Sequence, residues 1–171
     1  MTIQTERLAL RPVEAADWRA IQRIWEDQNR SPYAQYDTPN DTSDGAVRAR
    51  IARWEEYGRG REHLFFAVCL KSAVIGYVAF NTREKGYELG YCFHSDAHGK
   101  GYARESIACL LAHMREEHGA HFIARTALKN LPSVRLLAAL GFTLTGTERV
   151  SFYKDEAGED IWFDGGVFER A

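Results

Sequence analysis

The stretch His94–Leu111, HSDAHGKGYARESIACLL, places two glycines and a lysine directly before a segment with helical periodicity. Glycine weakens helices and strands, so a glycine at this position needs a reason in the backbone. One reason is an anion that binds to exposed backbone N–H groups at a helix N-terminus. The other is a tight turn that binds nothing. The rest of the chain has to separate these two alternatives.

The composition indicates one globular domain that spans residues 1–171. The chain is 45% hydrophobic and 27% charged, with a formal net charge of −2. This charge gives no basic field that would favour nucleic acid as a partner. No apolar run approaches the ~20 residues of a membrane helix, and the N-terminus lacks the layout of a signal peptide. Three cysteines without C-x-x-C spacing predict reduced, buried thiols in a cytoplasmic protein.

The first part of the chain predicts one strand and two helices. A strand is expected over Glu6–Val13, followed by a helix that Asp17 caps. A polar loop with two prolines comes next. A second helix is expected near Asp44–Tyr57, because its apolar residues recur at helical spacing.

The period then changes to that of strands. The runs HLFFAVCL, VIGYVAFN and YELGYCFH predict an antiparallel meander that leads into the glycine loop and a third helix. A strand, a short helix and a last strand pair follow, so the order β α α β β β α β α β β defines an α+β domain. A helical crossover joins the strand before the glycine loop to the strand at Phe122–Ala127. These two strands are therefore expected to be parallel neighbours.

The glycine loop does not match two common phosphate-binding motifs. A P-loop requires Ser or Thr after its lysine, whereas Gly101 follows Lys100. A dinucleotide-binding fingerprint requires a third glycine where Arg104 stands. A lone G-x-G is more often a turn with a helix cap than a ligand site.

A second segment, NLPSVRLLAALGF at residues 130–142, favours a ligand site over a plain turn at the glycine loop. Together with TERLALRP, VIGYVAF and YELGYCFHSDAHGKGYARES, it makes the chain resemble the GNAT family of acetyl-CoA-dependent N-acetyltransferases, especially its RimJ/RimL-type branch. The resemblance covers nearly the whole chain. It implies a GNAT fold: a mixed, mostly antiparallel sheet of about six or seven strands, flanked by about four helices. It also implies a V-shaped splay between the two parallel central strands.

The resemblance implies that acetyl-CoA is the cosubstrate and that the glycine loop binds its pyrophosphate. His98 stands where the family has Gln or Arg, which should weaken binding without abolishing it. Lys100 either adds charge near the phosphates or stays solvated. The pantetheine arm is expected to pair with the main chain of Tyr91–Phe93, which also supplies oxyanion stabilisation. The implied cofactor-binding residues are Tyr91, Cys92, Phe93, His98, Gly99, Lys100, Gly101, Tyr102, Ala103, Asn130 and Arg135.

Two catalytic residues are implied, Glu88 and Ser133. Glu88 interrupts an apolar strand; it either faces the cleft as the general base or faces solvent. Ser133 is implied to protonate or hydrogen-bond the leaving thiolate, or to satisfy a backbone N–H at a helix start, and the two roles are compatible. Tyr153 is a second candidate for the acid. Cys92 is expected near the acetyl group, but no Cys–His–Asp set supports a covalent intermediate.

The acceptor is expected to be a primary amine, on a peptide N-terminus or on a small molecule. Tyr33, Tyr36 and Trp54 are implied as walls of its site, and Tyr153 as a further residue near the acceptor. Such aromatic residues suit a cation, a flat group or plain packing. The alternative function is a non-catalytic acyl-CoA-binding or regulatory module on the same fold. The histidine spacing does not suit zinc, so no metal is expected. Neither nucleic acid nor a membrane is expected as a partner, and a homodimer stays open.

Overall fold

The strands and helices follow the apolar periodicity of the sequence. The computed structural model describes residues 1–119 and 121–171. The strands are β1 Ile3–Gln4, β2 Leu8–Pro12, β3 His63–Leu70, β4 Ala73–Arg83, β5 Gly86–Phe93, β6 Phe122–Ala127, β7 Thr143–Lys154 and β8 Asp160–Arg170. The helices are α1 Trp18–Asn29, α2 Asp44–Tyr57, α3 Tyr102–His118 and α4 Leu131–Ala139.

These strands form one eight-stranded sheet in the order β1-β2-β3-β4-β5-β6-β8-β7. All neighbours are antiparallel except β5 and β6, which are parallel as predicted. Their pairing runs from Tyr87 opposite Phe122 to Leu89 opposite Ala124 and ends there. β6 nevertheless continues to pair with β8 as far as Ala127. The edge of β5 beyond Leu89 is therefore open toward β6, and the predicted splay is confirmed.

Helices cover both faces of the sheet. One core joins the sheet to α3 and α4, and it includes Tyr87, Leu89 and Phe93 of β5. The other core joins the sheet to α1 and α2 around Trp25 and Trp54. Successive side chains of a strand point to opposite faces. The β5 residues between those of the first core thus face α1 and α2.

The helix starts differ from the prediction at Asp17. Its carboxylate does not cap α1. It accepts hydrogen bonds from the guanidinium of Arg11 at 2.8 Å and from the Glu14 N–H at 2.8 Å, within a short 3-10 turn. α1 begins after this turn, at Trp18. The capping prediction was wrong because the Asp17 carboxylate binds Arg11 of β2 instead of the N–H groups of α1.

Candidate active site

The glycine loop between β5 and α3 has a left-handed backbone at both glycines. Gly99 has a φ of +71° and Gly101, the residue before α3, has a φ of +82°. A side chain with a Cβ atom is disfavoured in this conformation. Gly101 is the N-cap residue of α3, and no side-chain cap hydrogen bond is made there. The N–H groups of the first turn of α3 therefore remain available to a ligand. An anion is the ligand that such a helix end favours.

Side chains hold the loop from within and from α1. His98 Nε2 lies 2.9 Å from the Phe93 carbonyl oxygen, and because a carbonyl only accepts, the ring nitrogen donates. Lys100 Nζ donates to the Asp96 carbonyl oxygen at 2.8 Å. Asp27 of α1 accepts from the N–H and the hydroxyl of Ser95 at 2.8 and 2.7 Å. The side chains of His98 and Lys100 therefore support the loop backbone in this structure.

The open edge of β5 presents main-chain groups to the gap beside β6. The Tyr87 N–H donates to the His121 carbonyl at 3.0 Å, so the polar groups of Tyr87 point toward β6. Polar groups alternate between the two edges of a strand, which puts those of Leu89, Tyr91 and Phe93 on the same edge. The ladder ends at Leu89, and His98 binds the Phe93 carbonyl. The main chain of Tyr91 is thus the best placed to pair with a ligand that lies there like an added strand.

Ser133 does not cap α4, because Asn130 does. The Asn130 side-chain oxygen accepts the Ser133 N–H at 3.3 Å. The Ser133 hydroxyl lies 2.5 Å from the hydroxyl of Tyr91. This contact joins the open half of β5 to the start of α4. Of the two roles predicted for Ser133, that of the helix-start hydroxyl is thus taken by the neighbouring asparagine.

The Tyr91 hydroxyl is protonated at neutral pH. Burial raises the pKa of Tyr91 to about 12, against the opposing effect of its hydrogen bond with Ser133. A protonated Tyr91 can donate to the Ser133 oxygen, which leaves the Ser133 O–H free for another acceptor. From the sequence, Tyr91 was implied only for its backbone. The side-chain pairing depends on how β5 meets α4, which no local motif reports.

Glu88 lies on β5 three residues before Tyr91 and on the opposite face of the sheet. Its carboxylate accepts from Nε of Arg83 at 2.6 Å and lies 3.2 Å from Nη1 of Arg125. The side chain is 21% exposed, so Glu88 is partly buried among these partners. Arg125 also binds Glu148 at 3.0 Å. Sequence reasoning missed both arginines.

Glu88 and Tyr91 lie on opposite faces of β5, Glu88 in the part that pairs with β6 and Tyr91 in the open part. They are roughly 10 Å apart along the strand. Glu88 faces the α1 and α2 side, whereas the hydroxyls of Tyr91 and Ser133 meet on the α3 and α4 side. A proton could therefore leave an acceptor on one face while another proton is supplied on the other.

The aromatic residues expected to wall the acceptor site have different environments. Trp54 is only 6% exposed and stacks on Phe65 with ring centroids 4.2 Å apart, so it is a core residue and not a wall. Tyr36 packs edge-to-face on Phe163 of β8 at 5.2 Å. Tyr33 begins the same turn of the loop after α1. This loop therefore reaches across to the β7–β8 hairpin.

Tyr153 lies on β7 and Arg135 on α4. Tyr153 pairs with Ile161 on the β7–β8 hairpin. Arg135 is exposed on α4. Tyr102 and Ala103 pack against the core at the start of α3.

Cys92 is not a reactive thiol in this structure. Burial, together with the charges of Asp37 and Asp27, raises the pKa of Cys92 to about 12. The protonated thiol is a poor nucleophile. Its sulfur lies 3.9 Å from the Gln28 side-chain oxygen.

Residues 1–119 and 121–171 contain neither a cluster of three potential metal ligands nor a helix suited to crossing a membrane. No group of three His, Cys, Asp or Glu side chains in these ranges is arranged to hold a metal ion. No helix in the same ranges is long and apolar enough to cross a membrane.

The chain belongs to the GNAT family: the family model described as "Acetyltransferase (GNAT) domain" matches residues 7–143. The protein is thus an N-acetyltransferase, as the resemblance implied. The uncharacterized N-acetyltransferase YnaD of Bacillus subtilis is 28% identical over 152 residues, which cover 85% of each chain. The uncharacterized N-acetyltransferase p20 of Bacillus licheniformis is 29% identical over 154 residues, covering 86% of this chain and 85% of p20.

Solved structures share the fold over almost the whole chain. The ribosomal-protein-S5-alanine acetyltransferase of Vibrio fischeri superposes with a TM-score of 0.83 at 20% identity, covering 99% of this chain and 96% of that one. A Salmonella typhimurium acetyltransferase that modifies the N-terminal serine of ribosomal protein L7/L12 gives a TM-score of 0.85 at 18% identity, covering 99% and 98%. Both are neighbours of the kind that the RimJ/RimL-type resemblance implied.

Proposed function

We propose that the protein transfers the acetyl group of acetyl-CoA directly to a primary amine of a peptide N-terminus or a small molecule. The observation that carries this proposal is the open edge of β5 at Tyr91, which leads straight into the left-handed loop of Gly99 and Gly101. An acetyl donor with an extended amide arm and a pyrophosphate fits both the open edge of β5 and the glycine loop. The arm takes the place of a strand, and the pyrophosphate meets the N-terminus of α3.

Solved relatives support the choice of donor. The L7/L12 acetyltransferase RimL has been determined with CoA, and the microcin C7 self-immunity acetyltransferase MccE with acetyl-CoA and AMP. In this chain, Gly99, Gly101 and the first turn of α3 would hold the pyrophosphate. The main chain from Tyr91 to Phe93 would hold the pantetheine arm, and Arg135 would face the nucleotide.

The chemistry needs a neutral amine, a held oxyanion and a protonated leaving group. The amine nitrogen attacks the acetyl carbon to form a tetrahedral oxyanion, and the collapse of this intermediate breaks the carbon–sulfur bond. Glu88 receives the proton of the amine through a water, and the Tyr91 N–H stabilises the oxyanion. Ser133 gives its proton to the departing sulfur, and Tyr91 can restore that proton through their hydrogen bond. After the products leave, Glu88 releases its proton to solvent and Tyr91 takes one up, so the site returns to its starting state.

The acidic side chains near Cys92 favour an acceptor that arrives as a cation. Asp27 and Asp37 both act electrostatically on Cys92, on the face of the sheet that Glu88 shares. A protonated amine is attracted to such a face and must then lose its proton before it attacks. Glu88 is the carboxylate on β5 itself that can receive it.

An amine panel tests the proposal. Acetyl-CoA is incubated with peptides that differ in their N-terminal residue, and with polyamines, amino acids and aminoglycosides. CoA release is followed with a thiol reagent, and acceptor acetylation by mass spectrometry. Release that depends on one class of amine supports the proposal. CoA binding without amine-dependent release from any of them supports the non-catalytic module instead.

Gly101→Val is expected to raise the Kd for CoA at least about 10-fold, because valine disfavours a φ of +82° and its branches crowd the loop. Isothermal titration calorimetry measures the affinity. Gly158→Val is the matched control, since Gly158 has a φ of +81° in the β7–β8 turn and a Cβ there would meet nothing within 4 Å. Both variants should lose stability, but only Gly101→Val should lose affinity. An unchanged Kd in folded Gly101→Val contradicts the placement of the pyrophosphate.

Cys92→Ala is expected to keep kcat within about 2-fold of the wild type, because direct transfer needs no thiolate. Intact-protein mass spectrometry after mixing with acetyl-CoA should show no acetyl adduct in either protein. An adduct that forms on Cys92 and disappears when the amine is added would instead establish a two-step transfer.

A further inference from the structure

The carboxylate of Glu105 lies in the first turn of α3, directly after the glycine loop. Its Oε1 accepts from the hydroxyl of Thr5 at 2.6 Å and from the N–H of Arg7 at 2.9 Å. Its Oε2 accepts from Nε of Arg7 at 2.7 Å. Hydrogen bonds from Thr5 and Arg7 hold the pKa of Glu105 below its usual range, against the opposing effect of burial. The N-terminal segment thus saturates this carboxylate.

The same arginine also holds the loop itself. Nη1 of Arg7 donates to the Lys100 carbonyl at 2.8 Å, and the guanidinium lies 4.6 Å from the centre of the Tyr102 ring. Nη2 lies 3.2 Å from the position that a Cβ on Gly101 would take. Arg7 therefore contacts the residues immediately before and after Gly101, and it closely approaches Gly101 itself.

A carboxylate in this position is a problem for an anion site. The N-terminus of a helix attracts anions, so a free Glu105 side chain would compete with a phosphate for the first-turn N–H groups and repel it. Arg7 and Thr5 hold this carboxylate on the side of β2 and offset its charge. The hydrogen bond to Lys100 fixes the peptide group that precedes the left-handed glycine.

We propose that Arg7 is a positioning residue for the donor: it fixes the loop backbone at Lys100 and holds Glu105 away from the ligand phosphates. The segment Thr5–Arg7 then belongs to the donor site although it lies at the start of the chain. This inference rests on the proposed function, since it concerns how that site binds CoA.

A double-mutant cycle on Arg7 and Glu105 tests the inference. The Kd for CoA is measured by calorimetry for wild type, Arg7→Met, Glu105→Gln and the double variant. Arg7→Met is expected to weaken CoA binding about 10-fold, because it frees both the loop and the carboxylate. Glu105→Gln should weaken it less. The double variant should bind CoA more tightly than Arg7→Met alone, since the repelling charge is gone.

A second readout separates positioning from general loss of stability. S-acetylpantetheine lacks the pyrophosphate, so Arg7→Met should leave its turnover with a competent amine unchanged while it raises the KM for acetyl-CoA. Arg11→Met is the matched control: Arg11 on β2 binds Asp17 through two hydrogen bonds of 2.8 Å, away from the loop. This control should lose stability and keep its affinity for CoA. Arg7→Lys, which keeps the charge but loses the forked geometry, should bind CoA with intermediate affinity.

Several results would overturn the inference. Wild-type affinity in Arg7→Met means that the loop binds CoA without the hydrogen bond from Arg7 to the Lys100 carbonyl. A double variant that binds as weakly as Arg7→Met means that the released carboxylate does not repel the phosphates, which overturns the role given to Glu105 in the inference. Equal losses with acetyl-CoA and S-acetylpantetheine mean a general structural role. A wild-type protein that does not bind CoA overturns the proposed function together with this inference, whereas loss of the inference alone leaves wild-type binding intact.

Discussion

Ser133→Ala is expected to lower kcat about 100-fold, the typical effect of losing a general acid. Its effect on stability should be small, because Asn130 and not Ser133 caps α4. Only the hydrogen bond with Tyr91 is lost, which contributes about 1 kcal/mol. Steady-state kinetics and thermal unfolding of the same preparation separate the two effects. A variant with near-normal kcat would leave Ser133 a structural role only.

Tyr91→Phe is the control for that experiment, since it removes the other half of the same hydrogen bond. It leaves the Ser133 hydroxyl in place, so kcat should fall less than about 10-fold. If Tyr91→Phe reduces kcat as much as Ser133→Ala does, the two hydroxyls act together as the acid and the serine does not act alone. Asn130→Ala should instead lower the melting temperature through loss of the cap.

The backbone of the donor site could be predicted from the sequence because glycine positions carry conformational information. Gly99 and Gly101 stand where a left-handed backbone is required, and the helix periodicity that follows locates the N–H groups. The helix at Asp44–Tyr57 was likewise predicted with its observed bounds. Strand β1 was missed because two residues, Ile3 and Gln4, are too few to show a period.

The side-chain partners of the site could not be predicted in the same way. Arg125 reaches Glu88 because β6 lies parallel to β5 in a particular register, and Tyr91 reaches Ser133 because α4 starts beside the splay. Such pairings depend on the packing of elements that are far apart in sequence. Trp54, in contrast, was assigned to the site although it does not belong there. Its aromatic character suggested a wall, but helix periodicity directs it into the core with Phe65.

Glu88→Gln is expected to lower kcat about 100-fold, because glutamine keeps the shape of the side chain and cannot accept the amine proton. The acidic limb of the pH profile of kcat/KM should also move or vanish. Glu148→Gln is the matched control: Glu148 binds the same Arg125, at 3.0 Å, but lies on β7. It removes one negative charge and one ion pair of this arginine without removing the base, so kcat should stay close to that of the wild type.

The two arginines around Glu88 make the kinetic pattern informative. Arg83 and Arg125 fix the carboxylate but also offset its charge, so Glu88 alone exerts little long-range attraction on a cationic amine. Loss of a base therefore predicts a fall in kcat with little change in the KM for the amine. A raised KM with unchanged kcat would show that Glu88 binds the acceptor and does not take its proton. If kcat and the KM for the amine both stay at their wild-type values, either water is the base or the amine arrives already neutral.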